Sequence, residues 1–126
     1  MTVAFWCVLV AGLLPLATVA VAKASRNYDN ADPRTWLAEQ QGLRRRADFA
    51  HRNHYEAFPW FAASVIVAAL AHASQERVDI LAVAYILLRL AYTAAYLGNR
   101  PSLRSVLWIA AFCCALAIFC AGARGH

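Results

Sequence analysis

Four apolar stretches, roughly 2–22, 57–73, 78–98 and 103–122, dominate this chain of 126 residues. Each is about the 17 to 25 residues a helix needs to cross the hydrocarbon of a bilayer, where every backbone polar group must be satisfied inside the segment. With 62% hydrophobic and only 15% charged residues, an ordinary soluble domain is excluded. The expectation is an all-α integral membrane protein, a four-transmembrane-helix bundle occupying 1–126 as one domain. Helices are expected at about 2–22, 43–73, 77–98 and 103–122. The second exceeds its apolar run because the sequence stays helix-compatible from Leu43, so its amphipathic first half extends to the interface or beyond.

Residues 1–22 also admit a cleaved signal peptide, since Val19-Ala20-Val21-Ala22 offers small residues at a cleavage position. A signal peptide wants a basic n-region, however, and Met1 to Cys7 contains no Lys or Arg. Basic residues instead gather in the first connection (Lys23, Arg26, Arg34, Arg44, Arg45, Arg46) and around the third (Arg100, Arg104), against Arg77 in the second and Arg124 in the tail. By the positive-inside rule both termini face away from the cytoplasm. The net charge of +5 is thus first an orientation signal, and no nucleic-acid partner is indicated.

Cys7, Cys113, Cys114 and Cys120 all fall within expected membrane helices and lack Cys-x-x-Cys spacing, so they read as apolar packing residues. The first connection, about 23–42, is rich in Asn, Asp and Pro and favours turns. A short turn around Ser74-Gln75-Glu76-Arg77 makes the second and third helices antiparallel neighbours. Gly98-Asn99-Arg100-Pro101-Ser102 supplies a C-terminal Gly, a Pro and a Ser that can cap the fourth.

The densest polar segment, Arg44 to Glu56, runs straight into an apolar one. Ionisable groups at membrane depth cost a few kcal/mol each and persist where they face a bundle interior, a wet cavity or a ligand. Arg45, Phe49, Arg52, Asn53 and Glu56 recur at spacings of three and four, as do Tyr85, Arg89, Tyr92 and Tyr96 on the third helix. Glu56 is the natural partner for the intramembrane Arg89. The third turn returns Arg104 and Ser105 to the same membrane side, so the polar residues converge on the cytoplasmic half of the bundle.

Several guanidinium groups, an amide, a carboxylate and phenols suit a ligand with carboxylates, an amine and peptide groups, because Arg pairs bidentately with carboxylate and Glu answers an ammonium. Glutathione has that inventory. Its thiol is only a few per cent ionised at neutral pH, and Arg104 near a helix N-terminus would favour the thiolate by charge and dipole.

The ordered set His51-Arg52-Asn53, Glu56, Pro59, then Arg89-x-x-Tyr92-x-x-x-Tyr96-Leu97-Gly98 and Arg104-Ser105 resembles the MAPEG family, membrane-associated proteins of eicosanoid and glutathione metabolism. The resemblance spans nearly the whole chain and is greatest to the short bacterial members. It implies a homotrimer in a bacterial inner membrane, with glutathione as co-substrate held between protomers and no metal. Arg52, Asn53, Glu56, Arg89, Tyr92 and Tyr96 would then bind glutathione, with Arg104 stabilising its thiolate and Ser105 beside it. A hydrophobic electrophile would arrive from the lipid along the first and fourth helices. Tyr92 stands where some members have His, and Trp108 where they have Tyr, which counts against prostaglandin isomerase chemistry.

The implied activity is membrane-bound glutathione transfer, with glutathione peroxidase activity a related option. A non-catalytic lipid- or ligand-binding protein of the same fold is the alternative. Arg89, Arg52 and Glu56 could also form an ion-pair network that only fixes helix register, and Arg44 to Arg46 a basic collar at the headgroups. His51 and His54 are expected on solvated or packing faces, His72 and His126 at the interface, and among Trp6, Trp36, Trp60 and Trp108 some belt residues.

Overall fold

The structure is a computed structural model and describes residues 1–124; His126 lies outside them. It contains α1 (Val3–Lys23), α2 (Pro33–Ala38), α3 (Gly42–Leu70), α4 (Gln75–Leu97) and α5 (Pro101–Ala123). Three of these, α1, α4 and α5, are long and apolar enough to cross a membrane. The remaining long helix, α3, has 29 residues, about 44 Å at 1.5 Å per residue and well beyond the ~30 Å of bilayer hydrocarbon. Its polar first half lowers its hydropathy without interrupting its backbone.

The core is built from small residues, which let helices approach closely where lipid supplies no hydrophobic drive for association. Ala4, Cys7 and Ala11 of α1 meet Phe61, Val65 and Ala68 of α3, with Ala82 of α4 and Ala111, Ala115 and Ile118 of α5. At its centre the rings of Phe61 and Tyr85 stack 4.0 Å apart and 3° from parallel. Helix α1 packs along α3, α4 along α5, and α3 also against α5. Near the end of α5, a Cβ on Gly122 would come within 3.2 Å of Ala71 Cβ and 3.3 Å of Ala68 Cα.

Large apolar side chains such as Trp6, Leu13, Leu87, Ile109 and Phe119 stand on the outside. An apolar exterior of this extent belongs in lipid. Cys7 is buried, whereas Cys113 and Cys120 share the apolar exterior of α5.

Polar atoms tie the helices at defined points. Asp79 of α4 accepts from the backbone N–H of Ala4 at 2.8 Å, so a carboxylate from another helix satisfies one of the free donors at the start of α1. Buried Pro15 lies within the continuous α1, and its carbonyl accepts from Nδ1 of His51 on α3 at 2.9 Å.

The connections differ from the sequence expectation. The first holds a helix, α2, because Pro33 stands at its first position, where a missing N–H costs nothing. Trp36 and Leu37 pack it against Ala22 and Ala47. The second turn lies earlier than expected, with His72 in the left-handed region (φ 56°) and Gln75, Glu76 and Arg77 already inside α4. At the third, the left-handed residue is Asn99 (φ 55°) rather than Gly98 (φ −77°). Arg100, not Ser102, is the N-cap of α5.

Candidate functional site

The polar half of α3, the last turns of α4 and the first turns of α5 meet at one end of the bundle around a cavity of about 520 Å³. Seven of the eight residues singled out in the sequence line it: Arg52, Asn53 and Glu56 from α3, Tyr92 and Tyr96 from α4, Arg104 and Ser105 from α5. The spacings that put Arg52, Asn53 and Glu56 on one stripe of α3 follow from 3.6 residues per turn. Phe49, from the same stripe of α3, and Trp108 add an apolar rim together with Ile109, which the sequence left unassigned.

Arg89 lies elsewhere. It is 2% exposed and lines a deeper cavity of about 250 Å³, whose wall shares Asn53, Glu56 and Trp108 with the first. Its expected ion pair with Glu56 is not formed. Arg89 Nη2 donates instead to Asn53 Oδ1 at 2.9 Å and to His54 Nδ1 at 2.8 Å. The pairing fails because α3 turns His54, 3% exposed, into the bundle toward Arg89, whereas Glu56 is on the exposed side.

This network fixes several hydrogen positions. A guanidinium has no acceptor, so Nδ1 of His54 must accept. Its proton then sits on Nε2, which donates to Thr93 Oγ1 at 2.9 Å, and the Thr93 hydroxyl donates to the Arg89 carbonyl at 2.9 Å. Asn53, with Oδ1 held by Arg89, presents its amide N–H groups as free donors. The Arg89 guanidinium also lies 4.3 Å from the Tyr92 ring centroid, a favourable cation–π placement. His54, expected on a solvated or packing face, is packed and buried, and its bonds to Arg89 and Thr93 form a network that the sequence did not indicate.

The charged residues on the open side are held differently. Arg52 bonds Asp48 one turn earlier at 3.1 Å; Asp48 is 2% exposed and anchors a guanidinium that is itself largely accessible. The i,i+4 spacing of Asp48 and Arg52 is legible in the sequence, but the burial of Asp48 is not. Glu56 has no ion-pair partner among the described residues. Arg104, in the first turns of α5, lies 4.6 Å from the Tyr96 ring centroid, which limits its swing and leaves its N–H edge free. Ser105 Oγ donates to the Pro101 carbonyl at 3.0 Å, so its hydroxyl proton is engaged while its lone pairs remain.

The deeper cavity is apolar below its polar roof. Trp60 and Phe112 meet edge to face at 5.5 Å, and Trp108 stacks on Phe112 at 5.5 Å and 8°. Trp60 and Trp108 border this cavity while keeping part of their surface exposed. Together the two cavities offer a cationic, hydrogen-bonding chamber above an aromatic one.

A model of the MAPEG family matches residues 3–124. The chain belongs to the MAPEG family. It is therefore a multi-pass integral membrane protein with the MAPEG helical fold. MAPEG members are often glutathione-dependent enzymes, including glutathione transferases and peroxidases, and commonly form trimers. No curated protein matches the chain. Within the MAPEG frame, the convergence of seven polar residues from three helices marks the chamber as the candidate site.

Proposed function

We propose that the chain is a membrane-bound glutathione transferase whose thiolate also reduces lipid hydroperoxides. The observation that carries this reading is the convergence of Arg52, Asn53, Glu56, Tyr92, Tyr96, Arg104 and Ser105 on one cavity. The donor set fits glutathione. Arg52 answers a carboxylate, the free amide of Asn53 a peptide carbonyl, unpaired Glu56 the ammonium, and the phenols of Tyr92 and Tyr96 give further donors. The cavity also lies within the 300–1,000 Å³ typical of small-molecule sites.

Arg104 supplies the chemistry. Its guanidinium beside the thiol, together with the positive end of α5, favours the thiolate over the thiol. In transfer, the thiolate sulfur attacks an electrophilic carbon, a C–S bond forms, and a leaving group departs with its electron pair. With a hydroperoxide, the sulfur attacks the terminal oxygen and the O–O bond breaks; the alkoxide takes a proton to become an alcohol. A second glutathione then converts the resulting sulfenic acid to disulfide and water. The aromatic chamber of Trp60, Trp108 and Phe112 suits an apolar reactant. The proposal includes a homotrimer in a bacterial inner membrane, with both termini away from the cytoplasm.

Calorimetric titration of the purified protein with glutathione, run beside conjugation of a chloronitrobenzene and reduction of an organic hydroperoxide, tests the reading. Binding with both activities is expected, and Glu56→Gln should weaken binding about tenfold through loss of a charge-assisted contact. Binding without either activity would favour a non-catalytic ligand-binding protein. Absence of binding would overturn the glutathione reading.

A further inference from the structure

We propose that a second, arginine-lined hollow at the turn between α4 and α5 binds the phosphate of an anionic phospholipid headgroup. This hollow, of about 340 Å³, shares Phe49, Tyr96 and Arg104 with the candidate site and adds Arg45, Arg46 and Arg100. Four guanidinium groups therefore border one space, and its lining contains neither Asp nor Glu. Among the described residues none of the four makes an ion pair. The hydrogen bonds they do make, Arg46 Nε to the Leu97 carbonyl at 3.2 Å and Arg45 Nη1 to Gln41 Oε1 at 3.0 Å, use one N–H each of the five a guanidinium carries.

Like charges this close repel unless an anion joins them. The start of α5 adds to the positive field: it opens at Pro101 with no side chain capping its free N–H groups, and an uncapped helix start attracts anions. Depth identifies the occupant as lipid. The apolar span of α4 ends at Leu97, and the hollow wraps the turn beyond it, at the level where phosphates of the cytoplasmic leaflet lie under the proposed orientation. A phosphodiester offers one negative charge and two unbridged oxygens to guanidinium forks. Phe49, Ala95 and Pro101 give the apolar border that a glycerol backbone requires. The inference stands independently of what the neighbouring cavity binds.

The test is native mass spectrometry of the full-length, delipidated protein offered equimolar phosphatidylglycerol and phosphatidylcholine. Wild type should retain phosphatidylglycerol preferentially. Arg45→Gln/Arg100→Gln should lose about 25-fold of that preference, at about fivefold per basic residue. An equal loss of charge at exposed Arg26 and Arg34, as Arg26→Gln/Arg34→Gln, should leave it intact. Equal losses in both variants would overturn the proposal in favour of a diffuse surface potential, and so would wild type without preference. Inorganic phosphate is the remaining arm: displacement of the lipid by millimolar phosphate would overturn the lipid as occupant, and retention supports it.

Discussion

At the scale of single residues, the bundle solves an unusual problem: a guanidinium 2% exposed in a membrane helix with no carboxylate to meet it. Asn53 and His54 answer Arg89 with neutral acceptors, and the chain of bonds through Thr93 leaves each member a partner. His54→Ala removes an acceptor from a buried charge and should cost about 1 to 3 kcal/mol, read as a fall in thermal unfolding temperature in detergent. It should also weaken glutathione binding by releasing Asn53, whereas His54→Gln, which keeps an acceptor, should recover part of both. An unchanged unfolding temperature in His54→Ala would contradict the network. The sequence revealed that Arg52, Asn53 and Glu56 share a stripe, because helical period alone decides that. It did not reveal what answers Arg89, since that depends on how α3 and α4 rotate against each other.

At the scale of elements, hydropathy located the membrane helices but not their ends. Apolar content marks where lipid lies, and a helix continues into water as long as its backbone is satisfied. Gln75, Glu76 and Arg77 looked like a turn and are the first turn of α4. Pro33 looked like a breaker and opens α2. Helix contacts depend on small residues that composition does not single out. At Gly122 an added methyl would meet Ala68 and Ala71 at 3.2 to 3.3 Å, while at Gly12 it would meet the Phe58 ring at 3.5 Å, an ordinary contact. Gly122→Ala should therefore destabilise the protein by about 1 to 3 kcal/mol through overpacking. Gly12→Ala should be tolerated, and parallel thermal melts of the two variants distinguish these outcomes; equal behaviour would contradict the α3–α5 packing.

At the scale of the whole molecule, the proposed orientation has four long helices crossing the membrane, with both termini on one side and the basic residues of the first and third connections on the other. Reporter fusions at residue 124 should be active when the reporter requires export and inactive when it requires the cytoplasm; the reverse would invert the orientation. The candidate chamber was largely legible before the fold, since its residues are polar intrusions into apolar helices. Assembly was not legible, because an apolar face presented to lipid and one presented to a second copy have the same composition. The central claim is that this chamber ionises a thiol through Arg104. Its most direct test is the ultraviolet thiolate absorbance of glutathione added to purified protein at neutral pH, wild type against Arg104→Ala. The account predicts a thiolate band in wild type that disappears in the variant while glutathione binding persists. A band that survives loss of Arg104, or glutathione bound by wild type with no band, would contradict it.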